Sequence, residues 1–258
     1  MIFEINNLSF SYNTKKEILK NIDLEINDGD LITFLGKNGS GKTTLFNLLL
    51  GLNKKYDGTI KLNNKDLKNL KEKDIASICG FVPQTHTPTF GFTVLDFILL
   101  GLANKISIFS SPSKKDKECA IKLMKELDIY ELKDRDYSEL SGGEMQQVTI
   151  ARALISQPKL IIFDEPTSHL DFANTIKILK TIKELNKKGY TILMSTHDPN
   201  QPLLLNSKVV LFNNQGNLLK GTADEIITEK NLKETFNCDI SIRYNKEFKC
   251  KQCIYSIK

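Results

Sequence analysis

The stretch Gly36-Lys37-Asn38-Gly39-Ser40-Gly41-Lys42-Thr43-Thr44 restricts what this chain can become more than any other. It follows the apolar run Leu31-Ile32-Thr33-Phe34-Leu35 and leads into Leu45-Phe46-Asn47-Leu48-Leu49-Leu50, so it reads as strand, tight loop and helix. The spacing G-x-x-x-x-G-K-[ST] is that of a phosphate-binding loop, whose glycines let successive backbone N–H groups curl around an anion. Asn38, Gly39, Ser40, Gly41 and Thr44 are then the cradle, Lys42 reaches the β- and γ-phosphates, and the Thr43 hydroxyl ligates Mg²⁺. The helix start adds unpaired N–H groups and its dipole. A plain glycine turn is the competing reading; the complete motif and its flanks speak against it.

With 258 residues, the chain suits one large domain or a core domain with an insertion. Its composition, 40% apolar and 26% charged, is that of an ordinary globular protein. No run approaches the roughly 18 to 20 apolar residues of a membrane span. The start Met1-Ile2-Phe3-Glu4-Ile5-Asn6 shows no basic n-region or small-residue cleavage site, so no signal peptide and a cytoplasmic location are expected. The net charge of +5 comes from lysines spread along the chain, with arginine only at 135, 152 and 243. Solvated lysine faces explain it, and no nucleic-acid partner is expected. Cys79 and Cys119 fall in apolar patterns and are expected in the core. Cys250-Lys251-Gln252-Cys253 is a lone C-x-x-C with no second pair for zinc, read as thiols without function.

In order along the chain, Ile2 to Phe10 and Ile22 to Ile26 read as antiparallel strands around a turn at 27–30, and Tyr12 is an aromatic able to stack on a flat base or to be a plain surface tyrosine. A strand opens at Tyr56 and ends at Asn63-Asn64; 66–76 is a charged connection or short helix; Ile78 to Pro83 is a buried strand followed by Gln84. From Thr85, helical patterns take over for roughly fifty residues. Leu95, Ile98, Leu99 and Leu102 make one helical face, 105–115 is a loop, and 116–129 is a helix carrying Ala120, Leu123, Met124 and Leu127. Leu140-Ser141-Gly142-Gly143-Glu144 opens the next helix, its serine and glycines being an N-cap or a second anion site. Leu160-Ile161-Ile162-Phe163 then runs into Asp164-Glu165, two carboxylates at the end of a buried strand, where metal and water give them a reason to be. Ile176, Leu179, Ile182 and Leu185 mark a helix stopped by Gly189; 191–194 is a strand with Ser195-Thr196-His197-Asp198 at its exit; a hairpin turns over 213–216; 223–236 is helical; and 240–244 and 254–257 are short strands.

Lys42, Gln84, Asp164, Glu165 and His197 all fall in or just after strand ends, the edge where open α/β sheets bind ligands. Asp164 can share Mg²⁺ with Thr43, and Glu165 can orient or deprotonate an attacking water, so the set fits phosphoryl transfer by positioning and charge neutralisation.

On these residues the chain resembles the ATP-binding subunit of ATP-binding cassette (ABC) transporters over nearly its full length. The family's phosphate loop matches 36–44, its signature 140–144, its acidic motif Leu160 to Pro166, its glutamine loop Gln84 and its switch histidine His197, and Ser168-His169-Leu170-Asp171 is similar to its aspartate loop. The resemblance implies an α/β fold: a P-loop NTPase core with a mainly parallel sheet (1–84 and 158–236), an N-terminal antiparallel β-subdomain, an inserted α-helical subdomain (85–157) and a tail (237–258). It implies ATP and Mg²⁺, with Gln84 joining Thr43 and Asp164 at the metal. It further implies that Tyr12 stacks on adenine and that two copies pack head to tail, so that Ser141, Gly142, Gly143 and Glu144, with Asp171 nearby, cap the nucleotide held by the other copy. Transmembrane permease subunits, indirectly a substrate-binding protein, and a place on the cytoplasmic face of the membrane follow from the same resemblance. Glu144 stands where glutamine is commoner and His169 where alanine is usual; neither removes a group that touches phosphate or Mg²⁺. Phe81 to Gln84, Thr93 to Asp96, Leu99 to Gly101, Pro112 to Asp116 and Thr196 to Gln201 are similar to subunits that energise uptake of iron-siderophore, haem, cobalamin or molybdate. The other readings are a cassette ATPase without a permease and a nucleotide sensor that does not hydrolyse.

Overall fold

The chain builds part of one unit, leaves it after Glu72, forms a second unit over Lys73–Tyr190 and returns to the first at Thr191. The computed structural model describes residues 1–12, 17–84, 91–106, 110–213, 218–247 and 249–255.

In the first unit β1 (Phe3–Phe10) and β2 (Leu19–Ile26) pair antiparallel as their alternation predicts, Phe3 opposite Ile26 and Phe10 opposite Leu19. β3 (Leu31–Leu35) is buried at every residue and feeds α1 (Lys42–Leu49). β4 (Asp57–Leu62) returns along β1, and β5 (Lys65–Asp66) closes a sheet ordered β2-β1-β4-β5. Gly58, at φ +84°, passes so close to β1 that a Cβ would lie 2.3 Å from the Asn7 carbonyl oxygen, so this irregular stretch of the pairing demands glycine.

α2 (Glu72–Ile78) leads into the second unit and takes Ile78, which the apolar pattern had given to the strand; β6 is Cys79–Val82. α3 (Val94–Leu99), α4 (Lys114–Glu126) and α5 (Gly142–Leu154) pack around Val94, Phe97, Ile98, Met124, Tyr137 and Val148, with Leu95 only half-buried. Phe97 and Tyr137 stack with ring centroids 3.8 Å apart, an arrangement worth about 0.5–1.5 kcal/mol beyond burial. The Tyr137 hydroxyl shares a 3.0 Å hydrogen bond with Thr149, and the Arg152 guanidinium lies 4.8 Å over the Phe97 ring, where burial holds its pKa below the ordinary value. Cys119 is exposed, against expectation: it precedes the buried Ala120 by one position on α4, about 100° round the helix. β7 (Leu160–Phe163) runs parallel to β6, with Cys79 opposite Leu160 and Val82 opposite Phe163. α6 (Phe172–Lys187) buries Ile178, Leu179, Ile182 and Leu185. Ile176, expected on that face, is 43% exposed, because the stripe centres between 178 and 182 and position 176 lies about 130° away.

On returning to the first unit the chain forms β8 (Thr191–Thr196), α7 (Asn200–Leu205), β9 (Lys208–Phe212) and β10 (Leu218–Thr222). β3 runs parallel to both β8 and β9, and β10 hairpins back on β9. The helix expected over 223–236 is two, α8 (Ala223–Ile226) and α9 (Glu229–Phe236), each with a threonine N-cap, Thr222 and Thr228. β11 (Ile240–Asn245) and β12 (Cys250–Tyr255) form a separate antiparallel hairpin. The architecture is the expected α/β one, with a mixed, largely parallel sheet and an antiparallel N-terminal sheet. Residues 85–90, where the helical stretch was read to begin, 107–109 of the loop over 105–115, 214–216 of the turn and 256–257 of the last strand lie outside the described residues. Among the described residues no helix is long and apolar enough to cross a membrane.

Candidate functional site

The end of β3 leads into the glycine-rich loop 36–41, the candidate phosphate loop. The Gly36 N–H donates to the Thr196 carbonyl at 3.3 Å, so the loop starts level with the end of β8, after which His197 stands exposed. A Cβ on Gly36 would meet Ser40 Oγ at 2.9 Å, and Gly39 and Gly41 take φ of +77° and +104°, which an L side chain rarely adopts. Inside this ring Lys42, 4% exposed, donates from Nζ to the Gly36 and Lys37 carbonyls, both at 2.9 Å. Ser40 Oγ is buried and, among the described residues, has no hydrogen-bond partner. α1 begins at Gly41 with no capping side chain and no acid in its first turn. A buried ammonium, an orphaned hydroxyl and an uncapped helix start fit a polyphosphate. Thr44 is buried, whereas Asn38, Gly39 and Thr43 are exposed on the loop and helix start. Tyr12 is 61% exposed and meets Phe10 edge-on, with centroids 4.9 Å apart.

In the second unit the Asp164 N–H donates to the Val82 carbonyl at 2.9 Å, which brings the exits of β6 and β7 level. Gln84 follows the one; Asp164 and Glu165, 3% and 8% exposed, follow the other. Glu165 adopts φ +45°, a left-handed conformation that costs about 1 kcal/mol or more in a non-glycine residue. Its Oε2 accepts from Ser168 Oγ at 3.0 Å and from Gln84 Nε2 at 3.5 Å. Ser168 escaped the sequence reading as a partner of Glu165; the turn that returns its N–H to the Glu165 carbonyl, 3.1 Å, puts it there. Among the described residues no group of three or more histidines, cysteines or acids could hold a metal ion.

Ser141 caps α5 in a reciprocal box: Glu144 N–H donates to Ser141 Oγ at 3.4 Å, and Glu144 Oε2 accepts from Ser141 N at 2.8 Å and Oγ at 2.7 Å. Arg135 Nη1 reaches Glu144 Oε1 at 3.2 Å. The Ser141 hydrogen bonds first, and the Arg135 charge second, hold the Glu144 carboxyl below the usual carboxylate range. A Cβ on Gly143 would lie 2.3 Å from Asn174 Oδ1, while Gly142 has room, with Leu170 at 3.7 Å. Asn174 is itself held by Asp171, the N-cap of α6, whose carboxylate accepts the Asn174 backbone N–H at 2.7 Å and its side-chain Nδ2 at 3.1 Å. The start of α5 and the start of α6 therefore form one constellation through Gly143, Asn174 and Asp171. His169, at φ +66°, is exposed beside it. Arg135 and Asn174 carried no signal in the sequence that marks them as partners of this site.

A model of the ABC transporter family matches residues 19–168. A probable iron chelatin transport ATP-binding protein of Helicobacter pylori (strain J99) is 34% identical over 259 residues, covering 100% of both chains. The molybdate import ATP-binding protein MolC of Haemophilus influenzae is 35% identical over 90% of this chain and 87% of its own. Among solved structures, one described as a metal-chelate type ABC transporter in an inward-facing conformation superposes with a TM-score of 0.88 at 32% identity, over 100% of this chain and 98% of that one. A dimeric structure of a bacterial ABC transporter cassette gives 0.74 at 27% identity, over 86% of this chain and 99% of that one.

Proposed function

This chain belongs to the ABC transporter family as its nucleotide-binding ATPase subunit, and from that premise we propose that it drives import of an iron chelate, haem, cobalamin or related metal compound through a membrane permease. The observation that carries the hydrolytic part is Glu165, buried at the end of β7 with its carboxylate between Ser168 and Gln84 and Asp164 beside it in sequence. Glu165 orients and deprotonates the attacking water; Lys42 and the N–H groups of Asn38 to Thr44 hold the phosphates; His197 faces the γ-phosphate; Tyr12 stacks on adenine. Thr43, Asp164 and Gln84 would hold Mg²⁺, which when bound neutralises charge on the phosphate oxygens. Ser141, Gly142, Gly143 and Glu144, with Asp171 behind them, cap the nucleotide of a second copy, so residues 85–157 act as the signature-bearing helical subdomain. A dimeric relative supports that pairing. The metal-chelate and iron chelatin relatives, matched over essentially the whole chain, support the substrate class. The permease contact places the subunit at the cytoplasmic face of the membrane.

The test is Glu165→Gln. Turnover should fall roughly 10²- to 10⁴-fold, the range for a positioned base, while ATP still binds and now drives dimerisation. Wild-type-like turnover refutes the assignment, and a strict monomer by light scattering refutes the shared site. For the substrate, the subunit reconstituted with its permease should show ATPase activity stimulated by a chelate-loaded binding protein; stimulation by none of the named metal compounds overturns that part.

A further inference from the structure

The C-terminal hairpin takes no part in the chemistry above, although it is built into the first unit with care. Cys253 on β12 is 7% exposed and packs with Leu35, Val209, Leu211, Ala223 and Ile226. Burial pushes its thiol up to about 11, so it serves as packing. Cys250 stands three residues away on the strand and so points to the opposite face, which rules the pair out as a shared metal or disulfide site.

The backbone of Cys253 is what connects the hairpin to the site. Its N–H donates to Asn200 Oδ1 at 2.8 Å, and its carbonyl accepts from Asn200 Nδ2 at 3.4 Å. Across the hairpin Cys253 stands opposite Ile242, whose N–H also turns outward, to Glu229 Oε1 at 2.8 Å. Such outward groups belong to a non-hydrogen-bonded cross-strand pair, and left unpaired they would be costly. A side-chain amide offers a donor and an acceptor side by side, so Asn200 replaces a missing strand with one residue.

Asn200 is also the first residue of α7, three after His197. Its N–H donates to Asp198 Oδ1 at 2.9 Å, and the Asp198 N–H to Thr196 Oγ1 at 3.1 Å. The Thr196 carbonyl in turn accepts from Gly36. The segment 196–200, with His197 exposed in its middle, is therefore anchored at one end to the phosphate loop and at the other to the C-terminal hairpin. We propose that Asn200 is a positioning residue for His197, through which the hairpin β11–β12 sets the geometry of ATP hydrolysis. The inference rests on the reading of His197 as the γ-phosphate-facing group.

The experiment measures ATPase kcat and KM on the full chain for wild type, His197→Ala, Asn200→Ala, Asn200→Asp and the double variant His197→Ala/Asn200→Ala. Losing the two hydrogen bonds that tie the His197 segment to the hairpin should lower kcat of Asn200→Ala by about tenfold, with KM for ATP within about twofold because the phosphate loop is untouched. Asn200→Asp keeps the acceptor for the Cys253 N–H and loses the donor, so it should fall between; it carries the test if Asn200→Ala does not fold. In the His197→Ala chain, Asn200→Ala should change kcat by less than about twofold, the signature of action through one group. An Asn200→Ala chain with a lowered Tm and normal kcat, or one whose loss is the same in both backgrounds, overturns the positioning role and leaves the site reading intact. A His197→Ala chain with wild-type kcat overturns the reading of His197, and this inference with it.

Discussion

Alanine at Gly143 should destabilise the second unit by about 1–3 kcal/mol, through a single neighbour. The new Cβ would lie 2.3 Å from Asn174 Oδ1, 2.4 Å from its Cγ and 2.8 Å from Nδ2, so the whole amide must swing away. That movement breaks the 3.1 Å bond from Asn174 Nδ2 to Asp171, worth about 1 kcal/mol, and adds an overpacking strain of about 1–3 kcal/mol. Against it stands the gain of replacing glycine in a helix, at most about 1 kcal/mol in the first turn. At this chain length each kcal/mol moves Tm by about 2–4 °C, so a loss of about 2–12 °C is expected. Thermal or urea unfolding of Gly143→Ala, Asn174→Ala and the double variant gives the cycle. In the Asn174→Ala chain the clash is gone, and Gly143→Ala should cost less than about 0.5 kcal/mol or stabilise slightly. A cost that is equal in both backgrounds, or below about 0.5 kcal/mol in the wild-type chain, would sink the argument that Asn174 is what excludes a side chain here. ATPase activity of the double variant separates fold from function: if Gly143 meets the other copy's nucleotide, turnover stays low although stability returns.

Glu144→Gln keeps an acceptor for Ser141 but loses the charge that pairs with Arg135 and favours the helix start, a stability cost of a few tenths of a kcal/mol after screening of this exposed pair. Because the Glu144 carboxyl titrates below its ordinary value in the fold, that contribution is present above the ordinary carboxylate range and is lost as pH falls through the lowered one. Wild type and variant should therefore differ in urea unfolding at pH 7 and converge in acid; a difference that grows in acid refutes the sign. If the start of α5 meets the second copy's phosphates, the same variant, with one negative charge fewer there, should dimerise with ATP about as tightly or tighter, and weaker assembly by light scattering would count against the shared site. Alkylation of the native protein at pH 8, followed by mass spectrometry, should label exposed Cys119 and Cys238 first, half-buried Cys250 more slowly, and spare Cys79 and Cys253, whose thiols burial pushes up to about 12 and about 11. Rapid labelling of Cys253 would mean that the hairpin does not sit on Asn200.

Features whose physics is contiguous along the chain were legible before folding. A tight turn from a strand into a helix needs glycines at fixed offsets, so the passage from β3 through 36–41 into α1 was legible, and so were the position of the acids after β7 and the serine cap of α5. Amphipathic helices could be placed, but not phased to a single residue: one position turns a helix by about 100°, which is how Cys119 and Ile176 came out facing solvent. Partnerships between distant segments emerged only in the folded chain. Asn174 stands against Gly143, and Asn200 clasps the backbone of Cys253 across 53 residues. Backbone groups carry no residue identity, and glycine owes its necessity to a neighbour that local spacing does not name. The tail therefore read as two short strands without chemistry, and became an anchor for the His197 segment only when the chain closed on itself.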